Sequence, residues 1–349
     1  MIDIPKTMRA VVYRGVNDLR LETVPVPRIG ANELLVKVAV CGVCPTDIKK
    51  IQYGTVLPPR IFGHETAGTI VKIGGGASVR ASRLKIGDRV ALHHHVPCMD
   101  CHFCRHRAFA QCPQYKRTGI TAGFEPAGGG YAEYVRVMDF VLPGVVKIPA
   151  KNSFEEGAML EPVNTVFKAI RRLSLLRGDT VLVAGQGPIG LMFTRLLQIA
   201  GKKVLATDLL KSRLNLAKQF GAKWTVLADQ LSSLNPQLDS AIIAVPSDDA
   251  VKQAMQLVRG AGQILLFAHT KRGARLDIDP AAICVDEKDL LGSYSSDFTL
   301  QAEVARLVFS RRLDVRSLIS HRFSLAETAS AIRLAASPTP DSLKIIVLM

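Results

Sequence analysis

The chain has 349 residues, 48% of them hydrophobic and 21% charged, with a formal net charge of +15. That length suggests two domains, with enough apolar residues for a core that needs no metal to exist. No apolar run reaches the ~18 residues of a membrane-spanning helix, and the opening "MIDIPKTMRAVVYRG" has no apolar secretion signal, so a soluble cytoplasmic protein is expected.

In chain order, "RAVVYRG", "ELLVKVAV", "AGTIVKIG" and "DRVALHH" are β-branched runs bounded by turn residues. They suggest an irregular β-rich domain over roughly the first 150 residues. Six of the seven cysteines lie between Cys41 and Cys112, and Cys284 stands alone. Without a secretion signal, reduced thiolates that bind metal are expected rather than disulfides. "CMDCHFCRHRAFAQC" spaces Cys98, Cys101, Cys104 and Cys112 as C-x2-C-x2-C-x7-C. Short spacings let four thiolates converge on one tetrahedral ion, and four protein ligands leave no open position, so this site is structural. Arg105, His106 and Arg107 stand beside it as candidates to offset the thiolate charge.

A catalytic metal needs three protein ligands and an exchangeable position. The remaining candidates are scattered: Cys41 and Cys44 in "CGVCPTD", His64 and Glu65 in "FGHETAG", and Glu161 in "MLEPVNT". Spacing alone does not bring them together; each also reads as a buried thiol, a core histidine or a helix-start glutamate. His93 to His95 either reach the substrate or form a surface run before the cysteine loop.

From about Phe154 short apolar strands alternate with helices. "TVLVAG", "KVLATD", "SAIIAV" and "GQILLFAH" read as strands; "PIGLMFTRLLQIAG", "LKSRLNLAKQFGA" and "DDAVKQAMQLVRG" read as helices. This is the pattern of βαβ units and a parallel sheet. Between "WTVLAD" and "SAIIAV" only about ten residues remain, so a short irregular connection replaces a crossover helix there. After Gly292 come the helix "LQAEVARLVFSRR" and a final strand "LKIIVLM". The densest basic stretch, "KAIRRLSLLRG" from Lys168 to Gly178, alternates with apolar residues as an amphipathic helix would. The positive charge thus reads as a solvated surface, with steering of a phosphorylated cofactor or substrate as the other reading.

"AGQGPIG" sets Gly185, Gly187 and Gly190 as GxGxxG between a strand and a helix. The first glycine permits the tight turn, the second admits a pyrophosphate, and the third lets helix and strand pack closely. Pro188 and Ile189 open the helix whose N-terminus faces the phosphates. Asp208 closes the next strand, where a carboxylate accepts from the adenosine ribose and repels a 2′-phosphate. NAD is therefore expected, while Lys211 and Arg213 just downstream keep NADP open.

With "GVCPTD", "GHETAG", the cysteine loop, "GGGYAEYV", "LEPVNTV", "GQGPIG" and "ATD" in this order, the chain resembles the zinc-dependent medium-chain alcohol dehydrogenases, in the sorbitol/polyol and threonine dehydrogenase branch. The resemblance implies an α/β chain: a GroES-like β-rich catalytic domain (1–155 and 297–349) and a Rossmann NAD-binding domain with a parallel sheet (156–296). It implies two Zn2+ per chain, structural at the four cysteines and catalytic at Cys44, His64, Glu65 and Glu161, with Glu65 a ligand or a close supporting carboxylate and Glu161 the third or an exchanging ligand. Asp47 would support His64, Thr46 would relay the hydroxyl proton, and Lys344 would contact the zinc shell or cofactor. Cys41 has no counterpart and reads as a packed thiol.

The implied reaction is NAD-linked oxidation of a secondary alcohol in a polyol, sugar-like or amino-alcohol substrate, at a zinc in the cleft between the domains. Threonine 3-dehydrogenase-like and sugar-phosphate dehydrogenases are the neighbouring alternatives. Lys49 stands where some relatives complete the relay with histidine, and the Tyr and Arg typical of sorbitol dehydrogenases are replaced around "DIKK" and at Ser295. The expected partners are a small alcohol and further copies of this chain as a dimer or tetramer, with no membrane. A non-enzymatic nucleic-acid-binding protein on the same scaffold is the rival from another class; no zinc ligand or loop glycine has been lost, as that would require.

Overall fold

In the computed structural model, residues 3–93, 95–117, 128–268 and 273–349 are described. The chain divides into two compact units, one made of Met1–Asn164 with Ser296–Met349 and the other of Thr165–Ser295.

The first unit is built on β-strands. Leu34–Gly42 is its central strand, because the run "LLVKVAVCG" is buried on both faces at nearly every position. It pairs antiparallel with Glu65–Ile73 on one side and with Lys344–Leu348 on the other. The sheet continues through Arg89–Leu92 and Val145–Lys147 at one end and Ile319–Ser324 at the other, with Tyr134–Val137 paired beside the central strand. A smaller sheet sets Thr7–Gly15 between Asp18–Pro25 and Arg60–Ile61. Two larger apolar cores lie among the described residues of the unit. One gathers Val12, Tyr13, Phe62, Tyr131 and Ile345; the other gathers Leu34, Val36, Ile70, Val90 and Val137.

Glu156 ties the late segment of the chain to the early one. Its carboxylate accepts from Ser153 N at 2.8 Å, Asn152 Nδ2 at 2.9 Å and Arg311 Nε at 3.0 Å. Burial alone would raise this carboxyl, but Arg311, the Ser153 amide and Asn152 outweigh it and the pKa is lowered. A lowered carboxyl pKa contributes stability above the unfolded value, lost as pH falls through the folded one. Glu156→Gln should therefore cost about 2 kcal/mol at pH 7, tempered by the partly exposed Arg311. Thermal melts against pH should show the gap to the unaltered chain closing below about pH 4.

The second unit is a six-stranded, all-parallel sheet. In space the order is Trp224–Leu227, Lys203–Asp208, Thr180–Ala184, Leu238–Ile243, Val258–Leu266, Asp289–Gly292. Numbered by sequence this is 3-2-1-4-5-6, the doubly wound dinucleotide-binding order. The helices Pro188–Ile199, Lys211–Gln219 and Asp248–Leu257 connect the strands, and the short link is a 3₁₀ turn, Ala228–Gln230, followed by Leu231–Leu234. That link is short and irregular, as its length requires.

The basic stretch 168–178 departs from expectation. The helix Leu160–Ile170 stops near its start. Ser174 N instead donates to the Gln263 side chain at 2.6 Å, Lys202 Nζ donates to Leu175 O at 2.9 Å, and Leu176 N donates to Asp179 at 2.7 Å. Distant partners and the turn into the first parallel strand override a periodicity that reads as helical.

Candidate active site

The end of the central strand assembles the first site. Register places Gly42 opposite Glu65 and, on the other side, opposite Ile346. Gly42 is needed there, because a Cβ would run into the Glu65 carboxylate. Two residues on, Cys44 caps the helix Pro45–Tyr53 in extended conformation with Pro45 in the first turn. The Sγ of Cys44, a ring nitrogen of His64 and a Glu65 oxygen all lie within 4.8 Å of one another.

Asp47, wholly buried in the first turn of that helix, sets its Oδ2 3.2 Å from His64 Nδ1. This contact orients the ring and leaves Nε2 as the ligating nitrogen. Burial disfavours a charged His64, but Asp47 and then Cys44 outweigh it and hold its pKa well above the usual value. The same field favours a divalent cation. Lys344 Nζ lies 2.5 Å from the Glu65 carboxylate and donates to Val43 O at 2.8 Å.

Glu161 lies beside this group. Burial is the largest influence on its carboxyl, against the pull of His64, and the pKa is pushed up to about 7. Its Oε1 is 3.8 Å from His95 Nδ1. The His95 ring is 6.0 Å from that of His64 and stacks on Tyr115 at 4.3 Å and 21°. His93 is fully buried, and burial lowers its pKa to about 4. The histidine run is thus no surface run at these two positions; His94 lies outside the described residues. Thr46 is half-buried in the first helical turn. Lys49 is half-buried as well, and burial lowers its pKa against the pull of Cys44.

Cys41 is a packed thiol with no accessible surface. Thr66 donates to its Sγ at 3.5 Å, and burial pushes its pKa to about 12. In "GGGYAEYV" the glycines Gly129 and Gly130 admit the close passage of Ile61, Phe62 and Cys41, and Tyr131 donates to Gly42 O at 3.2 Å. That motif is a scaffold for the ligand strand.

The second group is the four-cysteine loop. Sulfur separations are 3.9 Å between Cys98 and Cys104, 3.5 Å between Cys101 and Cys104, and 3.6 Å between Cys98 and Cys112. A tetrahedral zinc with Zn–S bonds of about 2.3 Å requires edges of about 3.8 Å, so the cage fits zinc. The amides of Asp100 and Cys101 pull the Cys98 thiol down to about 6, favouring the thiolate a cation needs. Arg105 does not turn to the sulfurs; it donates to Asp100 at 3.0 Å on the exposed side.

In the parallel-sheet unit, Gly185 has φ +90°, and a Cβ there would strike Val245. A Cβ on Gly190 would strike Gly185 O, whereas Gly187 faces open space. Gln186, between the first two glycines, is buried and pinned by Thr194 at 2.9 Å. Asp208 accepts from Gln186 N at 2.7 Å and Leu210 N at 3.0 Å, holding the loop to the next strand. Arg213 is 5% exposed. An open loop at the N-terminus of Pro188–Ile199, free of side-chain caps, suits a dinucleotide pyrophosphate.

A ligand set of one sulfur, one nitrogen and carboxylates, a closed thiolate cage, and a dinucleotide-binding sheet together define a zinc-binding dehydrogenase. Residues 30–150 match the model of the alcohol dehydrogenase GroES-like domain, and 188–310 that of the zinc-binding dehydrogenase domain. The chain is 30% identical to the sorbitol dehydrogenase of Bombyx mori, covering 94% of this chain and 95% of that one. It is 28% identical to the sorbitol dehydrogenase of Bacillus subtilis, covering 99% and 98%. A zinc-binding dehydrogenase of Sinorhizobium meliloti bound to NADP superposes with TM-score 0.88 at 27% identity, covering 99% and 100%. The chain belongs to the zinc-dependent medium-chain alcohol/polyol dehydrogenase family. It is an oxidoreductase with zinc and a nicotinamide dinucleotide as its cofactors. No described helix is long and apolar enough to cross a membrane.

The sequence pointed to Cys44, His64, Glu65 and Glu161, and these are brought into one neighbourhood. It missed Tyr115, which follows the last cysteine by three residues and has no signal of its own. Lys344, expected to contact the zinc shell or the cofactor, pairs with Glu65, a partner set by strand pairing between residues 279 apart.

Proposed function

We propose that the protein oxidises a secondary hydroxyl of a polyol or sugar-like substrate with NAD. The observation that carries this is the polar group beside Cys44 and His64: Glu161 and His95 face each other there, and Lys49 feels the Cys44 thiol. A vicinal diol brings a second hydroxyl that such groups can hydrogen-bond, whereas an apolar alcohol brings none.

Cys44, His64 and Glu65 would hold the catalytic zinc, with Glu161 exchanging into the set; Cys98, Cys101, Cys104 and Cys112 would hold the structural one. When bound, the catalytic ion acidifies the substrate hydroxyl and the nicotinamide takes up the hydride. Asp47 fixes the His64 ring. Lys344 screens Glu65, so a carboxylate can stand at the site beside Cys44 without excess negative charge. Glu161, poised near neutrality, accepts or returns a proton or holds a substrate hydroxyl. Thr46 both donates and accepts, and so passes the hydroxyl proton outward. His95 binds the neighbouring hydroxyl. In this reading 1–155 with 297–349 form the catalytic domain and 156–296 the NAD domain.

Further support comes from the surroundings. The seven cysteines are free thiols, the form that deprotonates to ligate zinc. Asp289–Gly292 is an edge strand with exposed Leu290 and Val285 nearby, a surface suited to a second copy of the chain.

Kinetics with a series of alcohols test the substrate reading: kcat/KM should be higher for butane-2,3-diol, xylitol or sorbitol than for ethanol. NAD is preferred through Asp208, although the Sinorhizobium meliloti structure holds NADP. Asp208→Asn keeps one of the two acceptor oxygens that hold the loop and removes the charge facing a 2′-phosphate. It should shift the NAD-to-NADP ratio of kcat/KM toward NADP by about tenfold. An unaltered protein that already favours NADP contradicts the reading of Asp208.

A further inference from the structure

We propose that Tyr115 is a positioning residue that couples the four-cysteine loop to substrate recognition by holding His95. This rests on the reading that His95 contacts a substrate hydroxyl.

Tyr115 belongs to two neighbourhoods. It is buried in the small core of the cysteine loop with Phe109, Ala110, Cys104 and Cys112. It is also stacked on His95 at 4.3 Å and 21°, and His95 in turn faces Glu161 at 3.8 Å. Only Pro113 and Gln114 separate it from Cys112, and all three continue into the short helix Pro113–Arg117. An imidazole has two side-chain torsions, and a near-parallel ring beneath it removes most of their freedom. The cage therefore fixes the Tyr115 ring plane, and that plane fixes the direction in which His95 offers its nitrogen. A closed metal site, with no ligand position for substrate, thereby shapes which substrate is bound. The stack does nothing for the hydroxyl being oxidised; it sets the pairing with the hydroxyl beside it.

The test compares butane-2,3-diol with butan-2-ol, which differ by the one hydroxyl His95 would bind. In zinc-loaded protein, His95→Ala and Tyr115→Leu should each lower the diol-to-alcohol ratio of kcat/KM by about tenfold. In Tyr115→Leu, whose side chain touches no substrate, the change should lie in KM for the diol, with butan-2-ol kinetics unchanged. Tyr115→Phe, which keeps the ring, should retain the ratio. Where Tyr115→Leu yields no folded protein, Tyr115→Met fills the same volume without a ring plane and is read in the same way. A second readout needs no turnover: the His95 ring proton resonances, assigned by their loss in His95→Ala, should be shifted upfield by Tyr115. They should move to unstacked positions in Cys104→Ser. If the ratio falls in His95→Ala but holds in Tyr115→Leu, or both substrates fall together in Tyr115→Leu, the positioning role is overturned and the substrate reading stands. Unmoved His95 resonances in Cys104→Ser overturn the coupling to the cage. If His95→Ala leaves the ratio unchanged, the substrate reading itself fails.

Discussion

Cys44→Ser should lower kcat by about a thousandfold or more while the protein remains folded. Cys44 provides the sole sulfur in the group with His64 and Glu65, and a serine hydroxyl is a poor ligand for zinc. The change is small in volume and sits at a helix N-cap, where serine is well tolerated, so the melting temperature should move by only a few degrees. Metal analysis should fall from two zinc ions per chain to one, the remaining ion being held by the cage. His64→Ala should give the same loss of turnover. It should also cost stability, because it strands Asp47, which is fully buried 3.2 Å away. Turnover by Cys44→Ser within tenfold of the unaltered enzyme would remove Cys44 from the catalytic site.

The opposite signature belongs to the cage. Cys104→Ser should lower the melting temperature by about 10 °C or more, since a structural zinc contributes folding free energy directly. Cys104 is buried, and its sulfur lies 3.5 Å from that of Cys101 and 3.9 Å from that of Cys98. Three remaining thiolates would then repel one another around a weakly held ion. A chelator should produce the same loss in the unaltered protein. Below the melting temperature the variant should still turn over butan-2-ol, because the cage touches none of the reacting atoms. A Cys104→Ser protein as stable as the parent would mean that the four thiols pack without metal.

What the sequence made legible was local. The GxGxxG turn, the strand it follows and the helix it opens are contiguous, so periodicity and glycine placement suffice to read them. The cysteine cage lies within fifteen residues and declares itself by spacing. Asp47 and His64 are less local, and they emerge only with the family's motif order. Two features were beyond reach, and a third was expected only as a contact of Lys344 with the zinc shell or the cofactor. The Lys344–Glu65 pair exists because two strands flank Leu34–Gly42, a fact of sheet topology. The Tyr115–His95 stack depends on how the cysteine loop folds back. The end of the helix at Ile170 is set by hydrogen bonds to Gln263 and Lys202 far along the chain. In each case a distant partner decides the outcome, and single-residue patterns carry no record of it.

The most direct measurement is the initial rate of NADH formation by purified, zinc-loaded protein with NAD across ethanol, butan-2-ol, butane-2,3-diol, xylitol, sorbitol and threonine at one pH. The expected result is that a vicinal polyol or diol gives the highest kcat/KM, at least tenfold above ethanol, and that zinc removal abolishes the rate. A tenfold preference for ethanol, or no NADH from any of the six, would contradict the assignment of a polar, zinc-dependent polyol site.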